Sequence, residues 1–290
     1  MDMRALLAGL VFALIWSSAF ASARIIVDGA PPISALSLRF FLSGFIGVGI
    51  ALAMGQSLRL TGPQWRAVVI FGTCQNAIYL GLTFVALQWI EASLAAIIAS
   101  TMPLLVAAAS WGLFRDRLPP LGLVGLAAGF LGVGLIMVQR MSGGADRLGM
   151  VLCLLGAVAL TIATLSVRGA VQGGGNLLML VGLQMVVGAT VLAPVGLLTE
   201  TLSVTWSAPL VMAFVYTLIM PGLVATLIWF WLVRRIGATR AATFHFLNPV
   251  FGVAIAAVLL GERLSWVDAL GVAIVAAGIL AVQLARARPT

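Results

Sequence analysis

The sequence predicts an all-α integral membrane protein: ten transmembrane helices, built as two inverted-topology five-helix repeats. Three observations carry that prediction. Of 290 residues, 62% are hydrophobic and 8% charged, against about a quarter charged in an ordinary soluble domain. The chain falls into ten apolar runs, each long enough to cross a hydrocarbon core of about 30 Å. The second half also repeats the first under a shift of 146 positions. Lipid offers backbone N–H and C=O groups no water partner, so apolar runs that enter it close their hydrogen bonds internally as helices.

Span one covers 6–27 and follows Arg4. Its Ala21-Ser22-Ala23 gives it the outline of a secretory leader. It has no separate cleavable region, however, and nine further spans follow, so it reads as the first membrane helix. The turn formers DGAPP at 28–32 close it and lead into span two, 32–54. Spans three and four cover 66–87 and 92–114, with Glu91 between them. Span five, 120–139, ends before SGG at 142–144, and span six, 148–168, before GGGN at 173–176. Spans seven to ten follow at 176–199, 208–233, 239–260 and 266–285. No linker or soluble domain is left over. Residues 1–290 therefore form a single transmembrane domain, with a first repeat over about 4–140 and a second over about 147–286.

Charge sets the expected orientation. All 16 basic residues are Arg. Eleven fall on the side that holds both termini: Arg4, Arg59, Arg66, Arg115, Arg117, Arg168, Arg234, Arg235, Arg240, Arg286 and Arg288. Four fall opposite, Arg24, Arg140, Arg147 and Arg263, and Arg39 lies within span two. The positive-inside rule then places both termini in the cytoplasm. Trp65 near one face and Trp89, Trp206 and Trp266 near the other fit an aromatic belt. Topology accounts for the net charge of +8, which requires no nucleic acid partner. Cys74 and Cys153 fall inside spans and read as small apolar fillers.

The shift of 146 superposes Ile90 on Ile236, Pro103 on Pro249, Arg117 on Arg263, Leu118 on Leu264, Gly125 on Gly271, Gly132 on Gly278 and Arg140 on Arg286 without a gap. A weaker echo, with another offset, joins Gly9 to Gly149 and Leu14 to Leu154. Five helices per repeat is an odd number, so the second repeat enters the membrane with opposite polarity. Many secondary transporters build alternating access on that architecture.

Several short stretches carry a family resemblance: IWSSAF at 15–20, APP at 30–32 followed by LRFFLSG at 38–44, MP at 102–103 running to RDRL at 115–118, and NP at 248–249 running to GERL at 261–264. With these the whole chain resembles the drug/metabolite transporter superfamily and its ten-helix EamA-type exporters. Ser17 stands where the family's WGSxF pattern has Gly, and RDRL replaces the usual GER form. The resemblance implies export of metabolites, amino acids or drugs across the bacterial inner membrane, through a central cavity between the halves. Among such exporters the chain looks most like the YddG-type exporters of aromatic amino acids.

Candidate binding residues are the polar and aromatic groups at mid-membrane depth, where polar groups are costly and face a wet cavity or one another. Pro103 and Pro249 sit near the middle of spans four and nine, where each removes a helix hydrogen bond, and a kink is expected at both positions. His245 and Asn248 are three residues apart, on one helical face with Pro249 nearby. Gln75, Asn76 and Tyr79 share a face of span three. Trp16 and Ser17 lie near the centre of span one, and Thr101, Met102, Thr161, Tyr216 and Phe244 complete the set from spans four, six, eight and nine. Such a lining suits a mainly apolar, aromatic substrate with amino and carboxylate ends, and cationic aromatics would also fit through cation–π contact. Both substrate classes stay open at this point.

The driving force is not legible. All eight acids, Asp2, Asp28, Glu91, Asp116, Asp146, Glu200, Glu262 and Asp268, lie in loops or near helix ends. His245 is the one mid-range titratable group inside a span: either a neutral hydrogen-bonding residue or a proton relay. Proton coupling and facilitated efflux both stay open. Arg39 is expected to snorkel or to bind a helix-end carbonyl, with contact to a substrate carboxylate as the alternative. No enzyme is implied. The chain has no G-x-S-x-G, no cluster of metal ligands and no Lys for a phosphate loop, and no cofactor is called for. A different class, a non-transporting assembly or channel subunit, would rest on glycine-led helix packing such as Gly125, Gly129 and Gly132. The expected partners are a small-molecule substrate and the lipid bilayer. No motif encodes the oligomeric state or the resting conformation.

Overall fold

The computed structural model describes residues 3–113, 118–166, 176–236, 241 and 243–287. The RDR of the RDRL motif, the GGG turn before Asn176, Asp2, Arg168, Arg240 and Arg288 lie outside them, as do the side chains of Arg234 and Arg286. Among the described residues every regular element is helical. Nine helices are long and apolar enough to cross a membrane: α1 (Met3–Gly29), α2 (Pro32–Ala53), α3 (Gly62–Ala86), α4 (Ala92–Gly112), α5 (Pro120–Ser142), α6 (Arg147–Ser166), α7 (Leu177–Thr199), α8 (Ala208–Leu232) and α10 (Trp266–Ala285). Between the last two lies the shorter apolar helix α9, Phe244–Leu260. The chain is a multi-pass membrane protein.

Local chemistry fixes the helix starts. Pro32 and Pro120 sit in the first turns of α2 and α5, where a missing N–H costs nothing and a fixed φ is already helical. Thr61 precedes α3, and the side chain of Gln64 accepts its N–H at 2.9 Å. Ser207 precedes α8 and accepts the N–H of Leu210 at 3.3 Å.

The shift of 146 found in the sequence also relates the elements. The opening α-helical segment of α3, Gly62–Phe71, corresponds to that of α8, Ala208–Thr217. Each gives way to an eight-residue π-helical stretch, Gly72–Tyr79 in α3 and Leu218–Ala225 in α8, again 146 apart. The π segments were not foreseen from the sequence. In α8 the wider turn accommodates Pro221 inside a helix, where the absent N–H would otherwise break the ladder. In α3 the bulge accompanies a close approach to α7: a Cβ on Gly72 would lie 2.6 Å from the carbonyl of Gln184.

Pro103 and Pro249 do not kink continuous helices as expected. Each begins a new segment. α4 stops at Ala99 and restarts at Met102, while α9 runs as a 3₁₀ helix over Thr243–Leu247 before its α-helix starts at Asn248. Proline in a first turn needs no donor, so both prolines mark interruptions rather than bends.

Helices from the two halves pack as antiparallel pairs. At one end of the α2–α7 pair, the carboxylate of Glu200 accepts the N–H groups of Ile33 and Ser34 at 2.8 Å each. At the other end the amide oxygen of Gln56 accepts the N–H of Met179 at 3.0 Å. In the α5–α10 pair, Arg140 at the end of α5 meets Asp268 in the first turn of α10 at 3.0 Å. Along this seam glycine backbones touch, and a Cβ on Gly278 would lie 2.6 Å from the Gly125 carbonyl.

Candidate functional site

The interruptions converge on the interior. A cavity of about 50 Å³ lies between α1, α2, α3, α7 and α8. Of the expected site residues, Trp16, Gln75, Asn76 and Tyr79 line it. A second, smaller cavity of about 10 Å³ is bordered by Met102, Pro103, His245 and Asn248. Trp16, Phe20 and Tyr79 border both, so the two spaces share one aromatic partition.

Both π segments contribute to the larger cavity. Gln75 corresponds to Pro221 under the shift of 146, Asn76 to Gly222 and Leu80 to Thr226, and all six line it. A π turn displaces the backbone and re-aims the side chains it carries, which is why such turns gather at functional sites. Threonines satisfy carbonyls at the bulges: Thr83 Oγ1 donates to Tyr79 O and Thr226 Oγ1 to Gly222 O, both at 2.8 Å. Each bulge is also tied to a helix of the opposite half. Asn76 Nδ2 donates to Gln184 O at 2.9 Å, and Ser43 Oγ donates to Leu218 O at 3.1 Å.

Around the smaller cavity, Asn248 Nδ2 and His245 Nδ1 are hydrogen-bonded at 2.8 Å. Which atom donates in this bond depends on the imidazole tautomer. Phe12, Trp229 and Trp16 surround the imidazole edge-on, with centroids at 5.4, 4.9 and 6.5 Å. Asn248 Oδ1 is buried without a hydrogen-bond partner among the described residues.

The remaining expected residues lie outside both linings. Ser17 Oγ donates to Asn248 O at 3.3 Å and joins α1 to α9. Tyr216 and Ser18 share a hydroxyl–hydroxyl bond of 2.6 Å that joins α1 to α8. Thr101 and Thr161 bond back to carbonyls of their own helices, Ile98 O at 2.7 Å and Ala157 O at 2.8 Å. Phe244 packs against Gly9 and Phe12, and Pro249 is buried in the first turn of the α-helical part of α9.

Residues that the sequence reading did not select also line the larger cavity: Gln184 and Met185 from α7, Arg39 and Phe40 from α2, and Thr226 from α8. Arg39 overturns an expectation. Only 4% exposed, it neither snorkels nor caps a helix end. Repeat arithmetic could have found Thr226, since it lies 146 positions after Leu80.

The family model of the EamA-like transporter family matches the chain twice, over residues 3–138 and 147–284. The inner membrane transporter YedA of Escherichia coli (strain K12) is 28% identical over 289 residues, covering 96% of this chain and 90% of that one. The transporter YvbV of Bacillus subtilis (strain 168) is 25% identical over 253 residues, 87% and 82% of the two chains. A solved crystal structure superposes with a TM-score of 0.72 over 100% of both chains at 22% identity, which shows the shared fold.

Proposed function

The chain belongs to the EamA-like transporter family, and from that premise we propose that it is a secondary transporter that exports small amphipathic metabolites by alternating access. Aromatic amino acids are the first substrates to test, as in the YddG-type branch. The observation that carries this reading is the pair of π segments, 146 residues apart, that line one cavity between the halves. In inverted-repeat transporters the substrate sits near mid-membrane beside interrupted helices of both repeats.

In this proposal ten spans form two repeats, about 4–140 and 147–286, of opposite polarity. The antiparallel packing of α2 on α7 and of α5 on α10 supports the inversion. Both termini then lie in the cytoplasm of a bacterial cell, with the protein in its inner membrane, which is where the name of the relative YedA places that protein. The binding residues are Trp16, Gln75, Asn76 and Tyr79, joined by His245 and Asn248 when the two cavities merge. At about 50 Å³ the larger cavity holds a few waters, whereas sites for drug-sized ligands run to about 300 Å³ or more. Substrate entry therefore requires the helices around Tyr79 to part. The Asn248–His245 bond supports a hydrogen-bonding His245 over a proton relay.

Uptake of radiolabelled tryptophan or phenylalanine into liposomes containing the purified protein, with and without a pH gradient, tests the reading. Saturable uptake above protein-free liposomes is expected, and substitution of Tyr79 or Asn248 by Ala should reduce it at equal protein abundance. Uptake that both variants leave at the wild-type rate would place the site elsewhere. Accumulation that depends on the gradient would overturn the purely hydrogen-bonding role of His245.

A further inference from the structure

Among the described residues, Arg39 is the one charged residue in the lining of the larger cavity. Its guanidinium stays protonated at any physiological pH, it is 4% exposed, and it lies in the membrane-spanning helix α2. Such a charge is normally matched by a carboxylate or by several carbonyls. Neither is present among the described residues. No ion pair includes Arg39, and its buried Nε has no hydrogen-bond partner. The recorded contact is with the face of Phe40, 4.5 Å from Cζ to ring centroid, which favours a cation but accepts none of its hydrogen bonds in the manner of an oxyanion. The described acids are committed to helix ends, as Glu200, Glu262 and Asp268 show.

We propose that Arg39 is the carboxylate-binding residue of the transport cavity, and that the transported substrate therefore carries a carboxylate beside an apolar, aromatic body. This inference rests on the transporter reading above. A planar guanidinium presents paired donors that match both oxygens of a carboxylate. Gln75 and Gln184 line the same space without side-chain partners among the described residues, and their amides can serve the remaining polar group of an amino acid. Trp16, Phe20, Phe40 and Phe84 supply the apolar wall. The same charge decides between the two substrate classes that the sequence left open: a fixed cation in a low-dielectric cavity repels cationic amines that lack an acid.

The test uses the wild-type protein in liposomes, with indole-3-propionate and tryptamine as competitors of radiolabelled tryptophan. The first keeps the carboxylate and lacks the amine; the second keeps the amine and lacks the carboxylate. Indole-3-propionate is expected to compete, with tryptamine weaker by about 30-fold or more, the cost of leaving one member of a buried charge pair alone. Arg39→Gln should lose tryptophan transport by a similar factor and gain tolerance of tryptamine, whereas Arg39→Lys, which keeps the charge without the fork, should fall between. The competition series needs no variant, so it decides even if Arg39→Gln misfolds. Tryptophan transport with equal competition by tryptamine would overturn the role of Arg39 and leave the transporter reading standing. Absence of uptake, together with no thermal stabilisation of the detergent-solubilised protein by any of the three compounds, would overturn both.

Discussion

The two ends of the antiparallel pair α2–α7 solve one problem with different chemistry. At the Pro32 end, the free N–H groups of the first turn of α2 meet a carboxylate: Glu200 accepts from Ile33, Ser34 and the Ser34 hydroxyl at 2.7–2.8 Å. At the Ala53 end, the first turn of α7 meets neutral amides. Gln56 accepts from Met179 at 3.0 Å, and Asn176 accepts from Ser57 at 3.1 Å. The Pro32 end is reinforced by further ties between the halves. Glu262 accepts the N–H groups of Ala92 and Ser93 at 2.7 and 3.0 Å, and Arg140, itself bonded to Glu91 of its own half, bonds Asp268 across the seam. A carboxylate at a helix N-terminus gains from the helix dipole and forms stronger hydrogen bonds than an amide. If the two ends part in alternation, the amide end of this pair parts at lower cost.

The largest effect is expected at Arg140. Asp268 is 2% exposed, and Arg140→Gln would leave its charge with only the Ser265 N–H and hydroxyl, each at 2.8 Å. Loss of one member of a buried pair costs about 3 kcal/mol or more, so a drop of several degrees in the melting temperature of the purified protein is expected. An unchanged melting temperature would mean that the ties at this end hold little. Glu200→Gln comes next. It keeps the shape and removes the charge from three hydrogen bonds, for roughly 1–2 kcal/mol. Because the loss falls at one end only, a reporter cysteine near Ser34, in a background without Cys74 and Cys153, should become more accessible to a membrane-impermeant thiol reagent. Equal labelling of variant and parent would refute the view that Glu200 holds this end shut.

Nine of the ten expected spans were legible because lipid ties composition to structure: a run such as Leu177–Thr199 has few ways to satisfy its backbone other than as a helix. The repeat-related prolines were legible as places where a helix hydrogen bond is lost, but the sequence suggested bends, and their placement at segment starts was not legible. The inward face of each span was not legible. In a soluble helix the apolar stripe marks the core, but here the lipid face and the packed face are both apolar. Gln184 therefore gave no sign that α7 walls the larger cavity, and Arg39 pointed to it only through the alternative of contact with a substrate carboxylate. The π segments escaped as well, since what widens α3 at Gly72 is its approach to the Gln184 carbonyl, a contact between residues more than 100 positions apart.

Gln56 offers the smallest effect and the sharpest test of the comparison. Its amide oxygen caps the first turn of α7 from a half-buried position, and Gln56→Ala should cost about 1 kcal/mol, as other lost N-caps do. Gln56→Glu is the more informative change, because it gives the Ala53 end the chemistry of the Pro32 end. The added charge should stabilise the α7 terminus by about 0.5–1 kcal/mol and raise the melting temperature by a degree or two. If parting of this end limits the transport cycle, the same variant should also transport more slowly, so stability and rate move in opposite directions. A variant both more stable and faster would mean that the Pro32 end limits the cycle, and the inference drawn from carboxylate against amide would have to be reversed.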